Sequence, residues 1–597
     1  MKNGLDLGEA YKATLGRIRA QGGEKARLGM AVLMWISHSR RPLQVDEIRH
    51  AIAIQTGSND VDRDDIPAIS TVLGCCQGLV IIENGVSTIR LIHFTLQEYL
   101  CAHPDLFDRA HSTMAETCLT YLNFQHVNDL SNRPPPDPRG TPFLQYSSLY
   151  WGTHMRMELS DRAKAYALQL LNRFDSHVSA KSLWESVTEG FPSDYYRGDE
   201  PFSTLHCISY FGIAEVANTL IKKNRCDVNQ RDSAGMTPLI WAARYGHEEV
   251  VRLLLQEKYI QPDQQDTNYR RTALSWAAGN GHGEVVRLFL GPGFVNPGSI
   301  GRWWGRAPLV GQLLGWRYVN PDSSCKCGRT PLAWAAENGH EGMVKLLLEQ
   351  KDVNVNTPIK SGQTPFSLAA ENGHEGIVKL LLERKDINPD SRDKGFGGTP
   401  LLWATVNGHE RIVKILLGRE DVNPNAIDGG FSRTSLLWAT VLTHEEIVKL
   451  LLGREDVDPG ISTVYGRTPL ALAAKNGQEA IVKLLLGRGD VNPNSSDKYD
   501  RTPLLWATRN GHEGVVELLL GREDVNPDIP DATYGQTPLS WAAENGHVGV
   551  VQLLLQRADV NPNSSNKFGR SPLTLAAENG HDRIVQLLQA PHSRRIR

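Results

Sequence analysis

Down the last two-thirds of this 597-residue chain, eight histidines follow a glycine at a regular interval: His247, His282, His340, His374, His409, His512, His547 and His581. Imidazole binds metals and exchanges protons near neutral pH, so such a series is the first place to look for chemistry. One histidine per repeat puts neighbouring rings roughly 10 Å apart, too far to share a metal ion. Rings that bridge adjacent turns by hydrogen bonds fit the spacing better. His247-Glu248-Glu249 begins like a zinc-protease motif, but no second histidine follows four residues after any such start. Cys325-Lys326-Cys327 offers two thiols without a second pair. No Gly-x-Ser-x-Gly elbow and no dinucleotide loop occur. Nor does any Gly-x4-Gly-Lys-[Ser/Thr], the backbone cradle and lysine that nucleotide phosphates need. The expectation is a non-catalytic chain with no metal, cofactor or small-molecule substrate.

The elements behind this spacing repeat almost verbatim. Thr-Pro-Leu or a close variant starts at Thr237, Thr272, Thr330, Thr364, Thr399, Thr434, Thr468, Thr502, Thr537 and Ser571, 34 or 35 residues apart except for one gap of 58. A fixed period of that size marks a solenoid whose units cannot bury their apolar faces alone. In the unit at Gly466, Thr468 caps a helix and Pro469 takes its first position. Leu470, Ala473 and Ala474 form one face, and Gly477 ends the helix in the left-handed region. A second helix, Ala480 to Leu486, buries Ile481, Val482 and its three leucines, and Gly487 to Asn494 reads as a turn-rich loop.

These residues resemble the ankyrin repeat, with Gly-x-Thr-Pro-Leu, Ala-Ala, Gly-His, Val-x-Leu-Leu-Leu and Asp-Val-Asn in phase from Phe202 to Ala590. A front copy at Ser203-Thr204-Leu205-His206 makes eleven clear repeats and one damaged repeat, about 298–327. The damaged stretch holds Trp303 and Trp304; it reads as a decayed repeat or an imperfect gene model, or as a kink that exposes aromatics to a partner. Thr443 replaces the turn glycine of one unit, so a strained, locally less stable turn is expected there.

Two columns of side chains run along the array. Trp241, Trp276, Trp334, Trp403, Trp438, Trp506 and Trp541 share one position with Leu368, Leu472 and Leu575. Because Leu and Trp interchange there, the column reads as packing between layers, with a binding ladder as the other reading. Arg244, Tyr245, Glu337, Glu371, Val406, Lys475, Arg509, Glu544 and Glu578 vary in charge late in the first helix. The resemblance places that position in the concave groove, so these residues and Trp303 and Trp304 are the candidate partner contacts. A solvated face would vary in the same way.

The first 200 residues do not repeat. Ala26 to His38, Asp46 to Ile54 and Ile66 to Gly78 are predicted helices. Leu79 to Glu83, then Asn84-Gly85, then Ser87 to Ile92 predicts a hairpin with a two-residue turn. Three helices and a hairpin make a winged-helix pattern. From Arg17-Ile18-Arg19 through Met34-Trp35-Ile36, Gly78-Leu79-Val80 and Phe94-Thr95-Leu96-Gln97-Glu98-Tyr99, it resembles the segment after the NACHT ATPase in fungal NACHT-ankyrin receptors of the STAND class. The resemblance implies fungal recognition or signalling, but the missing phosphate loop keeps nucleotide switching from carrying over. The expected division is 1–27 helical linker, 28–104 winged helix, 105–200 helical connector broken by Pro134-Pro135-Pro136, 201–590 ankyrin repeats and 591–597 basic tail.

Lys and Arg number 64 against 67 Asp and Glu, a net charge of -3. That balance gives no field for a nucleic acid or an anionic membrane, and the candidate recognition helix Ile66 to Gly78 lacks Lys and Arg. Eight scattered cysteines and no basic-then-apolar leader point to a soluble protein of the cytoplasm or nucleus. The mainly α fold therefore implies an interaction scaffold or sensor for partner proteins. Alternatives are a nuclear co-regulator of transcription acting through a protein partner and an NTPase remnant.

Overall fold

The computed structural model describes residues 7–83, 87–130, 140–188, 202–223, 226–291, 294–295 and 317–590. The chain is mainly helical and divides into two compact units, Met1–Lys326 and Cys327–Arg597.

The first unit opens with helix Leu7–Ala20, which buries Thr14, Leu15 and Ile18 and ties the Tyr11 hydroxyl to that of Thr95 at 2.8 Å. Helices Gly23–His38, Val45–Ala53 and Ile69–Cys75 follow. The third stops short of the expected Gly78 because Gln77 and Gly78 turn to φ 51° and 79°, outside helical space. Strand Thr88–Leu91 lies between Val80–Glu83 and a short strand, Leu43–Gln44, that periodicity did not reveal. These elements form the winged-helix domain. Its strands pair from Val80 with Leu91 to Glu83 with Thr88, and the expected Asn84-Gly85 turn lies outside the described residues. Ser87 before the second strand takes φ 51°, and its carbonyl accepts the Val45 N–H at 3.0 Å. Helices Ala110–Leu122, Leu144–Met157, Asp161–Leu171 and Val178–Thr188 continue the unit. Their core meets the domain at Trp35, which packs edge-on against Phe143 at 5.5 Å and Tyr146 at 5.9 Å, all three buried. The triple proline lies outside the described residues.

Helix pairs then recur. The first unit holds three, from Thr204–Phe211 with Ala214–Lys222 to Ala273–Gly279 with Gly283–Leu290; the second holds eight, from Pro331–Glu337 with Glu341–Leu348 to Pro572–Glu578 with Asp582–Gln589. Thr468 caps as expected, accepting the Ala471 N–H at 3.3 Å, and Thr237, Thr399, Thr502 and Ser571 do the same. The helix after Gly477 runs from Glu479 to Leu486 and buries Ile481, Val482 and Leu485. Leu484 and Leu486 are only half-buried, contrary to expectation, since one side of this helix faces solvent.

The 58-residue gap has a specific form. Elsewhere the loop after each helix pair is joined to the preceding one, as where Asp390 accepts the Asn423 N–H at 2.9 Å and Tyr465 accepts the Lys498 N–H at 3.0 Å. The equivalent bonds run from Asn320 N–H to Asp263 at 3.0 Å and from Lys326 N–H to the Tyr269 carbonyl at 2.6 Å. Residues 317–326 are therefore the hairpin of the repeat that starts at Thr272, and the extra length is an insertion ahead of it. Strand Phe294–Val295 pairs in parallel with Arg317–Tyr318 at its two ends. The insertion itself, with Trp303 and Trp304, lies outside the described residues.

Adjacent repeats are locked at the turn between their helices. Histidines donate Nε2–H to a carbonyl of the previous repeat: His374 to Glu337 at 2.9 Å, His409 to Glu371 at 2.9 Å, and His512 to Lys475 at 3.0 Å. A carbonyl acceptor makes Nε2 the protonated nitrogen. The same ring lies against the previous turn glycine so closely that a Cβ on Gly373 would stand 2.7 Å from His409, and one on Gly511 2.7 Å from His547. Glycine is needed both for its positive φ and for this approach. Thr443 stands where that glycine should be and does take φ 61°. In the next repeat Gln478 replaces the histidine, and its Nε2 donates to the Thr440 carbonyl at 2.9 Å and to the Thr443 hydroxyl at 2.8 Å. The threonine excludes the ring, and the glutamine uses the hydroxyl in its place.

This pairing predicts a thermodynamic cycle. Gln478→His alone should lower stability by about 1 to 3 kcal/mol through overpacking on Thr443, and Thr443→Gly with Gln478→His should restore it. Chemical denaturation of the four proteins measures the coupling, expected at about 1 kcal/mol or more; additive effects contradict it.

Candidate functional site

The expected contact residues take one place in the fold. Arg244, Glu337, Glu371, Glu544 and Glu578 are the last residues of their first helices, and Lys475 and Arg509 are next to last. Tyr245 caps its helix and is 36% exposed. The carbonyls of Arg244, Lys475, Arg509 and Glu544 accept from or bond to the ring of the following repeat, at 2.9, 3.0, 3.1 and 3.0 Å. The bond that joins two layers thus also fixes the backbone that presents each variable side chain.

The tryptophans beside this column are anchored from behind. Trp241, Trp276, Trp438 and Trp541 donate Nε1–H to Asp232, Asp266, Asp428 and Asp531 at 2.7, 3.0, 2.8 and 2.9 Å. The same carboxylates accept hairpin N–H groups, as Asp531 does from Thr533 and Tyr534 at 2.8 and 2.7 Å. Trp241, Trp276, Trp506 and Trp541 are buried, whereas Trp334, Trp403 and Trp438 are half-buried. Packing is their main role, and their outer faces carry cations: Arg433 over Trp438 at 4.5 Å, Arg329 over Trp334 at 4.9 Å, Arg509 over Trp541 at 4.2 Å.

A second series beside the tryptophans escaped the sequence reading. Phe396, Phe431, Tyr465, Tyr499, Tyr534 and Phe568 stand at successive hairpin tips, 54, 46, 52, 40, 42 and 69% exposed. The first two meet their tryptophans edge-on at 6.1 and 6.0 Å, leaving the outer ring in solvent. Each lies three residues before a capping Thr or Ser, and that offset was the available signal. Exposed aromatics repeated at one position leave a row of apolar surface outside the core.

In the first unit a buried chain of polar side chains lies apart from the repeats. The Arg40 N–H donates to the Tyr146 hydroxyl at 3.2 Å, Tyr146 bonds His154 Nε2 at 2.9 Å, and His154 Nδ1 shares a hydrogen bond with His111 Nδ1 at 2.9 Å. Burial, with His111, Arg40 and His38 nearby, holds the His154 pKa down to about 3, and burial lowers His111 and His38 as well. No group of three or more His, Cys, Asp or Glu that could hold a metal occurs among the described residues. Among them, too, no helix is long and apolar enough to cross a membrane.

The histidine chain gives a pH dependence of definite sign. His154 is neutral in both states above about pH 7; as pH falls past its unfolded value of about 6.5 the unfolded chain gains the proton first, so stability drops by up to about 1.4 kcal/mol per pH unit. Hydrogen exchange in Ala110–Leu122 and Leu144–Met157, corrected for intrinsic rates, should therefore lose protection from pH 7 to pH 5. Protection that holds constant contradicts the buried neutral histidine.

Residues 17–115 match the family model described as GPI inositol-deacylase, winged helix domain. The ankyrin repeat and SAM domain-containing protein 3 of Homo sapiens is 33% identical over 99 residues, which is 17% of this chain and 13% of that protein. The chain thus spans only a small part of that relative. Residues 205–297, 303–393, 385–463, 436–531 and 523–595 match the model described as ankyrin repeats (3 copies), well over half of the sequence. The capped helix pairs, the glycine turns and these matches together make the chain a member of the ankyrin-repeat family, with a winged-helix head.

Proposed function

We propose that the chain is a non-catalytic scaffold that grips a partner protein through the concave side of its repeats, with the winged helix and connector as a regulatory platform. One observation carries this reading: side chains of varied charge stand on backbone positions that an almost invariant ring-to-carbonyl bond holds in place. Charge that changes from Glu371 to Lys475 to Glu544 at one structural position on a fixed frame is what a recognition surface would present. The resemblance of head and repeats to fungal NACHT-ankyrin receptors favours a setting in recognition or signalling, with nucleotide switching supplied by another domain or chain. Direct reading of DNA fits less well, since helix Ile69–Cys75 bears no cation.

Affinity purification with the full chain tests the proposal against a variant in which Glu337, Glu371, Lys475, Arg509, Glu544 and Glu578 are all serine. The variant should stay folded, since surface pairs of this kind contribute about 0 to 1 kcal/mol each, and should lose the partner. A partner retained equally by both proteins, or tight ATP binding with turnover by the wild type, contradicts it.

A further inference from the structure

In several repeats the residue just before the capping one reaches the variable column eight residues on. In four repeats of the second unit the pair is complementary: Arg329 with Glu337 at 2.8 Å, Gln363 with Glu371 and Gln536 with Glu544 at 2.5 Å, Arg570 with Glu578 at 3.3 Å. Of the four repeats between Thr364 and Thr537, those at Thr399 and Thr434 carry Gly398 with Val406 and Arg433 with Val441, and in those at Thr468 and Thr502 both partners are cations, Arg467 with Lys475 and Arg501 with Arg509. All four of these paired cations lie around one indole, with Arg509 between it and Trp541, to which it is nearer at 4.2 Å. Arg467, Lys475, Arg501 and Arg509 lie 4.8, 5.2, 5.1 and 5.9 Å from the ring centre of Trp506.

Asp497 is the only carboxylate among the described residues that pairs with this group. Its side chain is fully buried, its Oδ2 takes the Arg467 Nε at 3.4 Å, and its Oδ1 is used by the N–H groups of Tyr499 and Arg501. Where other tryptophans donate to the equivalent aspartate, the Trp506 Nε1–H is buried without an acceptor, and so is the Arg501 Nε. Burial and the repulsion of Arg467, Arg509 and Arg501 hold the Lys475 pKa below its ordinary value. Like charges this close destabilise the fold unless something else offsets them, and cation–π contact offsets only about 0.5 to 1 kcal/mol per pair. A chain with a net charge of -3 has concentrated cations and unused donors at one spot.

The ends of the column decide between anions. Glu371 on one side and Glu544 on the other, whose partners Gln363 and Gln536 are neutral, would repel a continuous polyanion laid along it, whereas Glu337 and Glu578 are paired with Arg329 and Arg570. A polypeptide can be acidic in the middle and neutral or basic at its flanks. Exposed apolar contacts suited to a peptide adjoin the cations, with Val464, Tyr465 and Tyr499 at 53, 52 and 40% exposure.

We propose that Arg467, Lys475, Arg501 and Arg509, around Trp506, receive a short acidic segment of the partner protein, with Tyr465 and Tyr499 packing on its backbone and apolar side chains. At about 3.3 Å per extended residue, two repeats of about 10 Å span roughly six residues, so the carboxylates fall within such a stretch. This deepens, and rests on, the reading of the column as a protein-binding face.

Fluorescence anisotropy with the full chain tests it. The probes are a labelled peptide of about twelve residues with a central Asp/Glu run and lysine flanks, its isomer with the same charges moved to the ends, and a single-stranded oligodeoxynucleotide of matched length. The centre-acidic peptide should bind tightest and lose about tenfold or more in affinity in both Lys475→Glu/Arg509→Glu and the milder Lys475→Gln/Arg509→Gln protein. Melting of the Gln variant should be unchanged or raised, since it relieves repulsion. Equal binding of the two peptides, affinity insensitive to both variants, or tighter binding of the oligonucleotide overturns the inference. If the serine variant above loses its partner while the acidic peptide shows no preference, the acidic segment is wrong and the scaffold stands; if neither depends on the column, both fail.

Discussion

One contact organises the array: an imidazole that reaches back to a carbonyl of the previous repeat while lying flat on that repeat's turn glycine. It combines a hydrogen bond, a close approach that only glycine permits, and a fixed left-handed turn. Since the accepting carbonyls belong to the variable column or lie beside it, stacking and presentation of the proposed contact residues are the same event. A repeat cannot shift against its neighbour without moving the side chain that would meet a partner. Contacts of this nearest-neighbour kind add along a solenoid, which is how a chain of short helices, each unstable alone, becomes rigid.

The exception at Thr443 shows that the contact is a unit of two residues. A β-branched residue in the left-handed region is unfavourable by itself, and strain was expected there from the sequence. The compensation was not, because it comes from Gln478, a full repeat away. Loss of the ring and loss of the glycine occur together, which is the pattern steric exclusion requires.

Local structure was legible because it depends on local chemistry. Thr-Pro starts, glycine turns and apolar spacing each have a mechanism within a few residues, and they located every helix pair of the second unit. Three features were not legible. The hairpin-tip aromatics look like loop residues until the fold sets them beside Trp403 or Trp438. The cation cluster depends on residues eight apart, a spacing that means nothing within one helix and becomes a contact only when the hairpin folds against the helix end. The long gap read as a damaged repeat because spacing alone does not say which loop bonds to Asp263.

The ring-to-carbonyl contact is open to measurement through His512, which joins Lys475 to the following repeat. Hydrogen–deuterium exchange of the full chain with His512→Ala should show faster exchange in both helix pairs that the ring joins, Pro469–Asn476 with Glu479–Leu486 and Pro503–Asn510 with Glu513–Leu520. Repeats two or more steps away should keep their protection. Faster exchange confined to the repeat that carries the substitution, or no change in either, would contradict a stack coupled through this histidine.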